Sequence, residues 1–151
     1  MMNIRQATQA DLPGIRHLWQ EYITILSQAD ARFKPLLQTT AEWEARLLER
    51  IEHVYICEKD GKIIGYLAGD ATETLATIDE IALDAHTYHS GLGRALVNAW
   101  YRAHPNLPLR VHVPRYHAVE QAFWRALGAK EVHTWQTPPE KIWMILSSDQ
   151  R

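Results

Sequence analysis

The chain has a single cysteine, Cys57, among its 151 residues, so it lacks the second thiol that an intrachain disulfide requires. This cysteine lies in the apolar run VYICE. A reactive thiolate needs a polar and partly exposed setting, whereas cysteines in apolar runs are usually buried and inert. We therefore expect Cys57 to be a core residue and not a nucleophile.

An excess of charge of one sign and long apolar runs are also missing. The 16 Lys and Arg are matched by 18 Asp and Glu, for a net charge of −2, which leaves no basic field for nucleic acid. No apolar run approaches the roughly 18 residues of a membrane helix. The first residues, MMNIRQATQADL, contain no apolar signal core. We expect a cytoplasmic protein with neither a nucleic-acid nor a membrane partner.

The sequence shows no internal repeat, linker or low-complexity tract, and its length suits one domain, residues 1–151. Apolar runs with helical and with β spacing follow one another in the order β-α-α-β-β-β-α-β-α-β-β. Asp60 and Gly61 join two β-rich runs as a hairpin. The strand LATIDEIAL, the next helix and the strand LRVHV predict a right-handed parallel crossover. Together these patterns predict an α+β domain: a mixed, mostly antiparallel sheet flanked by helices on both faces.

The run HTYHSGLGRALV places Gly91 and Gly93 where a predicted strand gives way to a helix. A glycine turn at a helix N-terminus exposes backbone N–H groups and the positive end of the helix dipole to an anion. A dinucleotide fold is excluded because Leu96 stands where its third glycine belongs, and no Walker A lysine closes the run. We expect a phosphate or diphosphate here, within reach of Arg94. The alternative is that the glycines serve only a tight turn.

Two runs, DEIALDAHTYHSGLGRALV and HAVEQAFWRALGAKEV, resemble the signatures of the GNAT superfamily of acyl-CoA-dependent N-acetyltransferases. In the first run Gly91 and Gly93 match, while Tyr88 stands where the family has Gln or Arg. In the second run Phe123 and Gly128 match. There His117 replaces the family's asparagine, Trp124 its tyrosine and Ala129 its last aromatic residue. The order of elements extends the resemblance over nearly the whole chain.

The resemblance implies that acetyl-CoA is the cosubstrate, that no metal takes part, and that an amine of a small molecule or peptide attacks the thioester directly in a ternary complex. It implies a coenzyme A cradle formed by Ile81, Ala82, Leu83, Tyr88, His89, Ser90, Gly91, Leu92, Gly93, Arg94, His117, Phe123 and Trp124. Backbone N–H groups of a splayed fourth strand, between Ile81 and Leu83, would polarise the thioester oxygen.

A catalytic base is the main chemical need, because an amine with a pKa near about 10.4 is almost fully protonated at neutral pH. The resemblance places this base on or beside the fourth strand, where Asp79 and Glu80 are expected on opposite faces. Glu80 is the preferred candidate, because Asp79 would share its face with Ile81 and Leu83. The alternative is that both carboxylates only form ion pairs. The family's usual acid is a tyrosine, which Trp124 replaces here. The departing thiolate can take its proton from water, and Tyr116 and His117 are the candidates if the protein supplies an acid.

Several alternatives stay open. Tyr88, His117 and Trp124 differ from the family's residues at their positions, which also suits a CoA-binding sensor without catalysis. A protein that binds nucleotide phosphates is a third hypothesis. The eight histidines show no metal-ligand spacing. The aromatic residues Trp19, Trp43 and Trp100 lie on apolar helix faces and predict core positions, whereas Phe33, Trp135 and Trp143 suit an acceptor pocket or, for the two tryptophans, a homodimer contact.

Overall fold

The computed structural model describes residues 2–29, 39–88, 90–115, 117–133 and 141–146. Within them, seven strands form one sheet in the order β1-β2-β3-β4-β5-β7-β6. The strands are β1 (Met2–Gln6), β2 (Val54–Lys59), β3 (Lys62–Ala71), β4 (Ala76–Leu83), β5 (Leu109–Pro114), β6 (Lys130–Glu131) and β7 (Lys141–Leu146). The α-helices are α1 (Leu12–Ala29), α2 (Thr40–Glu49), α3 (Leu92–Ala103) and α4 (Ala118–Ala126).

The order of elements and the mixed sheet are those that the sequence predicts. All neighbouring strands pair antiparallel except β4 and β5, which pair parallel across α3. The hairpin between β2 and β3 turns at Asp60 and Gly61, whose φ angles of 53° and 77° are both positive. This is the combination that a two-residue type I′ turn needs. No helix in the described ranges is long and apolar enough to cross a membrane.

Each face of the sheet has its own apolar core. On one face α3 and α4 pack with residues that include Trp100 and Trp124, and Cys57 is fully buried there. On the other face α1 and α2 pack together, with the rings of Trp19 and Trp43 stacked 4.5 Å apart. The predictions that Cys57 is a core residue and that the helix tryptophans are buried are therefore confirmed.

A bulge in β4 changes which side its residues face. In the pairing with β3, Ala68 lies opposite Glu80 and Gly69 lies opposite Ile78, so Asp79 is an extra residue. An extra residue shifts the two-residue alternation of a strand. As a result Asp79 and Glu80 do not lie on opposite faces. Both carboxylates bond the guanidinium of Arg50, and that part of the sequence prediction was wrong.

Arg50 ends α2 and joins it to the sheet. The residue is 7% exposed, and its guanidinium donates one hydrogen bond to Asp79 and another, 3.3 Å long, to Glu80 Oε2. Glu80 Oε1 accepts from Trp43 Nε1 at 3.0 Å and from the Tyr66 hydroxyl at 2.8 Å. The two carboxylates thus tie α2, β3 and β4 together through charge-assisted hydrogen bonds.

We predict that Arg50→Met lowers the free energy of unfolding by about 3 to 5 kcal/mol, because it leaves two half-buried carboxylates without their cation. The matched control is Arg46→Met. That side chain is 55% exposed and 3.8 Å from Asp79, so its loss should cost less than about 1 kcal/mol. Urea unfolding of both variants measures the difference. Equal losses for the two arginines would contradict the prediction.

Candidate active site

A cavity of about 600 Å³ opens at the carboxyl end of β4, between α1, the start of α3 and α4. Ten residues of the cradle predicted from the sequence line it: Ile81, Ala82, Leu83, Tyr88, Gly91, Leu92, Gly93, Arg94, His117 and Phe123. Residues that are far apart in the chain are therefore brought together as the sequence motifs predict.

Other predicted residues lie elsewhere. Trp124 is 1% exposed in the core under α3 and α4, which removes its indole from the cavity wall and corrects its placement in the cradle. The exposed Ser90 does not line the cavity, and its hydroxyl donates to the Thr87 carbonyl. His89 and Tyr116 lie outside the described residues, as do Phe33 and Trp135.

The two candidate bases are also away from the cavity wall. Glu80 and Asp79 are not among the lining residues, and their oxygens accept from Arg50, Trp43 and Tyr66. The alternative expected from the sequence is that both carboxylates only form ion pairs. Their contacts with Arg50 agree with that alternative. The catalytic role of Glu80 stays a prediction, and its surroundings do not favour it because three donors already occupy the carboxylate.

The two glycines at the start of α3 meet different constraints. Gly91 is the N-cap residue with φ of 84°, in the left-handed region, and a Cβ built there would meet no atom within 4 Å. Glycine is needed at this position for its backbone conformation. A Cβ at Gly93 would instead lie 2.9 Å from the ring of Phe123. Gly93 therefore lets α4 approach the first turn of α3.

The first turn of α3 supplies donors at this end of the cavity. The first intrahelical bond runs from the Ala95 N–H to the Gly91 carbonyl. The N–H groups of Leu92, Gly93 and Arg94 precede it and have no acceptor within the helix. All three residues line the cavity, so the positive end of a 12-residue helix meets it.

The edge of β4 is open along the same cavity. Its pairing with β5 covers only Ala76 to Ile78, opposite Leu109 to Val111. The Asp84 N–H bonds the Ile64 carbonyl on β3, and alternate residues of an antiparallel pair direct their polar groups to the same neighbour. The backbone groups of Ile81 and Leu83 therefore face the side where β5 has diverged. This is the splayed fourth strand that the sequence resemblance implies.

Three polar residues that line the cavity, Tyr22, His117 and Glu120, lie close together. The sequence did not predict this cluster. The Tyr22 hydroxyl donates to Glu120 Oε2 at 2.8 Å, and Nδ1 of His117 lies 3.2 Å from the same oxygen. The orientation at His117 Nδ1 is not that of a hydrogen bond. Glu120 is 7% exposed. Burial, followed by the Glu120 charge, raises the pKa of Tyr22 well above its ordinary value. The Tyr22 hydroxyl therefore stays protonated and donates a hydrogen bond to Glu120.

No sequence signal pointed to Tyr22 or Glu120. Tyr22 follows the apolar spacing of α1 and reads as a core residue. Glu120 lies three residues after His117 on the first turn of α4, a position where acidic residues normally interact with the helix dipole. In the part of the chain that the structure describes, no three His, Cys, Asp or Glu side chains cluster as a metal site would require.

We predict that Gly93→Ala lowers the free energy of unfolding by about 1 to 3 kcal/mol through overpacking, and Gly91→Ala by about 1 to 2 kcal/mol through backbone strain. Only the Gly93 effect should depend on Phe123. Combining Gly93→Ala with Phe123→Ala should therefore recover about 1 kcal/mol relative to the sum, whereas Gly91→Ala with Phe123→Ala should add within about 0.5 kcal/mol. Urea unfolding of the single and double variants measures these free energies. Additive losses in both pairs would refute the contact between position 93 and the Phe123 ring.

Several solved structures share this fold. The PaiA N-acetyltransferase of Thermoplasma acidophilum, solved with coenzyme A, has a TM-score of 0.75 at 16% identity, with 97% of this chain and 99% of that chain covered. The ribosomal-protein-S18-alanine N-acetyltransferase of Escherichia coli has a TM-score of 0.70 at 22% identity, with 97% and 93% covered. The diaminobutyrate acetyltransferase EctA of Paenibacillus lautus, solved with L-2,4-diaminobutyric acid and coenzyme A, has a TM-score of 0.70 at 10% identity, with 98% and 95% covered.

No curated protein matches the chain. The sequence profile of the acetyltransferase (GNAT) family, however, matches residues 13–129, which is more than half of the chain and includes the glycine turn, the open strand edge and α4. The resemblance seen in the two sequence runs is thereby confirmed, and the chain belongs to the acetyltransferase (GNAT) family.

Proposed function

We propose that the protein transfers the acetyl group of acetyl-CoA to a primary amine by direct attack in a ternary complex. The observation that carries this proposal is that one cavity joins the start of α3 to the open edge of β4. An elongated ligand with a diphosphate at one end and amides along its arm requires this combination of a helix N-terminus and an unpaired strand edge. The coenzyme A bound to the PaiA N-acetyltransferase supports the choice of ligand.

In this proposal the diphosphate of coenzyme A lies on the N–H groups of Leu92, Gly93 and Arg94, with the Arg94 side chain as a further donor. The pantetheine arm follows β4 and bonds the backbone groups of Ile81 and Leu83. Phe123 and the neighbouring apolar residues cover the arm. The thioester carbonyl then lies near backbone N–H groups that stabilise the oxyanion formed when the amine attacks.

The leaving group does not need an acid from the protein. A thiol has a pKa near about 8.5, so the coenzyme A thiolate departs as an anion and takes its proton from water. This fits the burial of Trp124, which replaces the tyrosine expected at that position and is 1% exposed. Because acetyl-CoA is an intracellular metabolite, the proposal places this single domain in the cytoplasm.

A CoA-binding domain without transfer activity is the second candidate, favoured by the same buried Trp124. Thiol release from acetyl-CoA separates the two functions. The amines to test are spermidine, L-2,4-diaminobutyrate, kanamycin and a hexapeptide that begins with alanine, the second and last being suggested by the substrates named for two structural neighbours. Turnover of any one of them supports transfer. Tight binding of coenzyme A with no turnover of any supports the second candidate.

We predict that Gly91→Glu weakens coenzyme A binding about tenfold or more relative to Gly91→Gln, because only the glutamate adds a negative charge beside the diphosphate. Both variants carry the same backbone strain, since the left-handed φ of Gly91 disfavours any side chain. Titration calorimetry with coenzyme A and with pantetheine, which lacks the diphosphate, provides the measurement. Pantetheine should bind both variants alike. Equal coenzyme A affinities would exclude this turn as the diphosphate site.

A further inference from the structure

We infer that the catalytic base of this protein is Glu120 on α4, positioned by Tyr22. The inference rests on the proposed transfer from acetyl-CoA to an amine. It departs from the expectation that the base lies on β4.

The first observation is the state of the Glu120 carboxylate. It lines the cavity, yet its side chain is only 6% exposed. Both contacts found for it within the described residues, the hydroxyl of Tyr22 and Nδ1 of His117, are made to Oε2. Oε1 receives no donor from the described residues. A buried carboxylate with one oxygen bonded, and no donor from the described part of the chain on the other, is suited to accept a proton from a bound ligand.

The second observation is the contrast with Glu80. Its Oε1 accepts from Trp43 and Tyr66, and its Oε2 accepts from Arg50. A proton placed on either oxygen would displace one of these donors and weaken the connection between α2 and the sheet. Glu80 is also absent from the cavity wall. The bonds found for Glu80, and the lack of a donor to Glu120 Oε1 among the described residues, therefore point to the same assignment.

The third observation concerns charge. Glu21 on α1, Glu120 on α4 and Arg94 at the start of α3 all line the cavity. An ammonium group is attracted to the two carboxylates, and an anion to Arg94 and the positive end of α3. The two carboxylates therefore favour binding of the protonated form of the amine.

The proton and electron balance follows directly. The bound ammonium gives one proton to Glu120 Oε1, and the freed nitrogen lone pair forms the C–N bond with the thioester carbon. The C–S bond breaks, and its electron pair leaves on sulfur. The nitrogen loses its second proton to the thiolate through water, and Glu120 releases its own proton to solvent. Tyr22 holds Glu120 in place through its hydrogen bond and touches no reacting atom in this sequence of steps.

The test compares Glu120→Gln with Glu120→Asp and with Glu73→Gln, an exposed carboxylate far from the cavity wall. The substrate is whichever amine the thiol-release panel shows to be active. For Glu120→Gln we expect kcat to fall about a hundredfold or more, while calorimetry shows coenzyme A binding within threefold of the parent. Glu120→Asp should recover part of kcat with the parental pH profile. The residual rate of Glu120→Gln should rise with pH, because hydroxide then replaces the lost base.

Glu73→Gln should keep the parental rate. The inference is overturned if Glu120→Gln keeps kcat within threefold of the parent, or if folded Glu80→Gln loses turnover while Glu120→Gln retains it. These outcomes leave the parent active and so differ from failure of the proposed function. If the parent acetylates none of the amines, both proposals fall together.

Discussion

The parallel pairing of β4 with β5 for only three residues is the constraint on which the rest of the site depends. A strand that kept both neighbours would satisfy its backbone groups inside the sheet and offer none to a ligand. Because β5 diverges after Val111, the polar groups of Ile81 and Leu83 face a cavity instead. The sheet thereby has an opening at its centre, which is otherwise its most completely bonded region.

An opening of this kind needs support from elsewhere. The bulge at Asp79 turns two successive carboxylates toward Arg50, and Glu80 also accepts from Trp43 and Tyr66. This cluster fixes β4 to α2 beside the point where β5 is lost. The charge-assisted bonds of the cluster restrict the arrangements open to β4, although Arg50 Nε has no hydrogen-bond partner among the described residues. The bonds of this cluster give it a structural role in connecting α2 to the sheet.

The sequence was sufficient for whatever depends on local pattern. Apolar spacing predicted every helix and strand in order, Asp60 and Gly61 predicted the hairpin, and Gly91 with Gly93 predicted the turn before α3. Two features could not be predicted from the sequence. The bulge at Asp79 arises from a register shift against β3, which strand alternation within β4 cannot reveal. The contact between Tyr22 and Glu120 joins residues 98 positions apart, on helices whose own patterns describe only packing and solvation.

Groups of both charge signs line the cavity, and this bears on how the two proposed substrates would share it. A diphosphate and an ammonium group attract each other in solution, so a cavity with uniform potential would not keep them apart. Here Arg94 and the start of α3 favour the anion, and Glu21 with Glu120 favours the cation. A reversed placement would set the diphosphate against two carboxylates, which is unfavourable in a partly buried site. In the proposed reaction, the diphosphate and the ammonium group would therefore bind to different groups of the cavity before any bond forms.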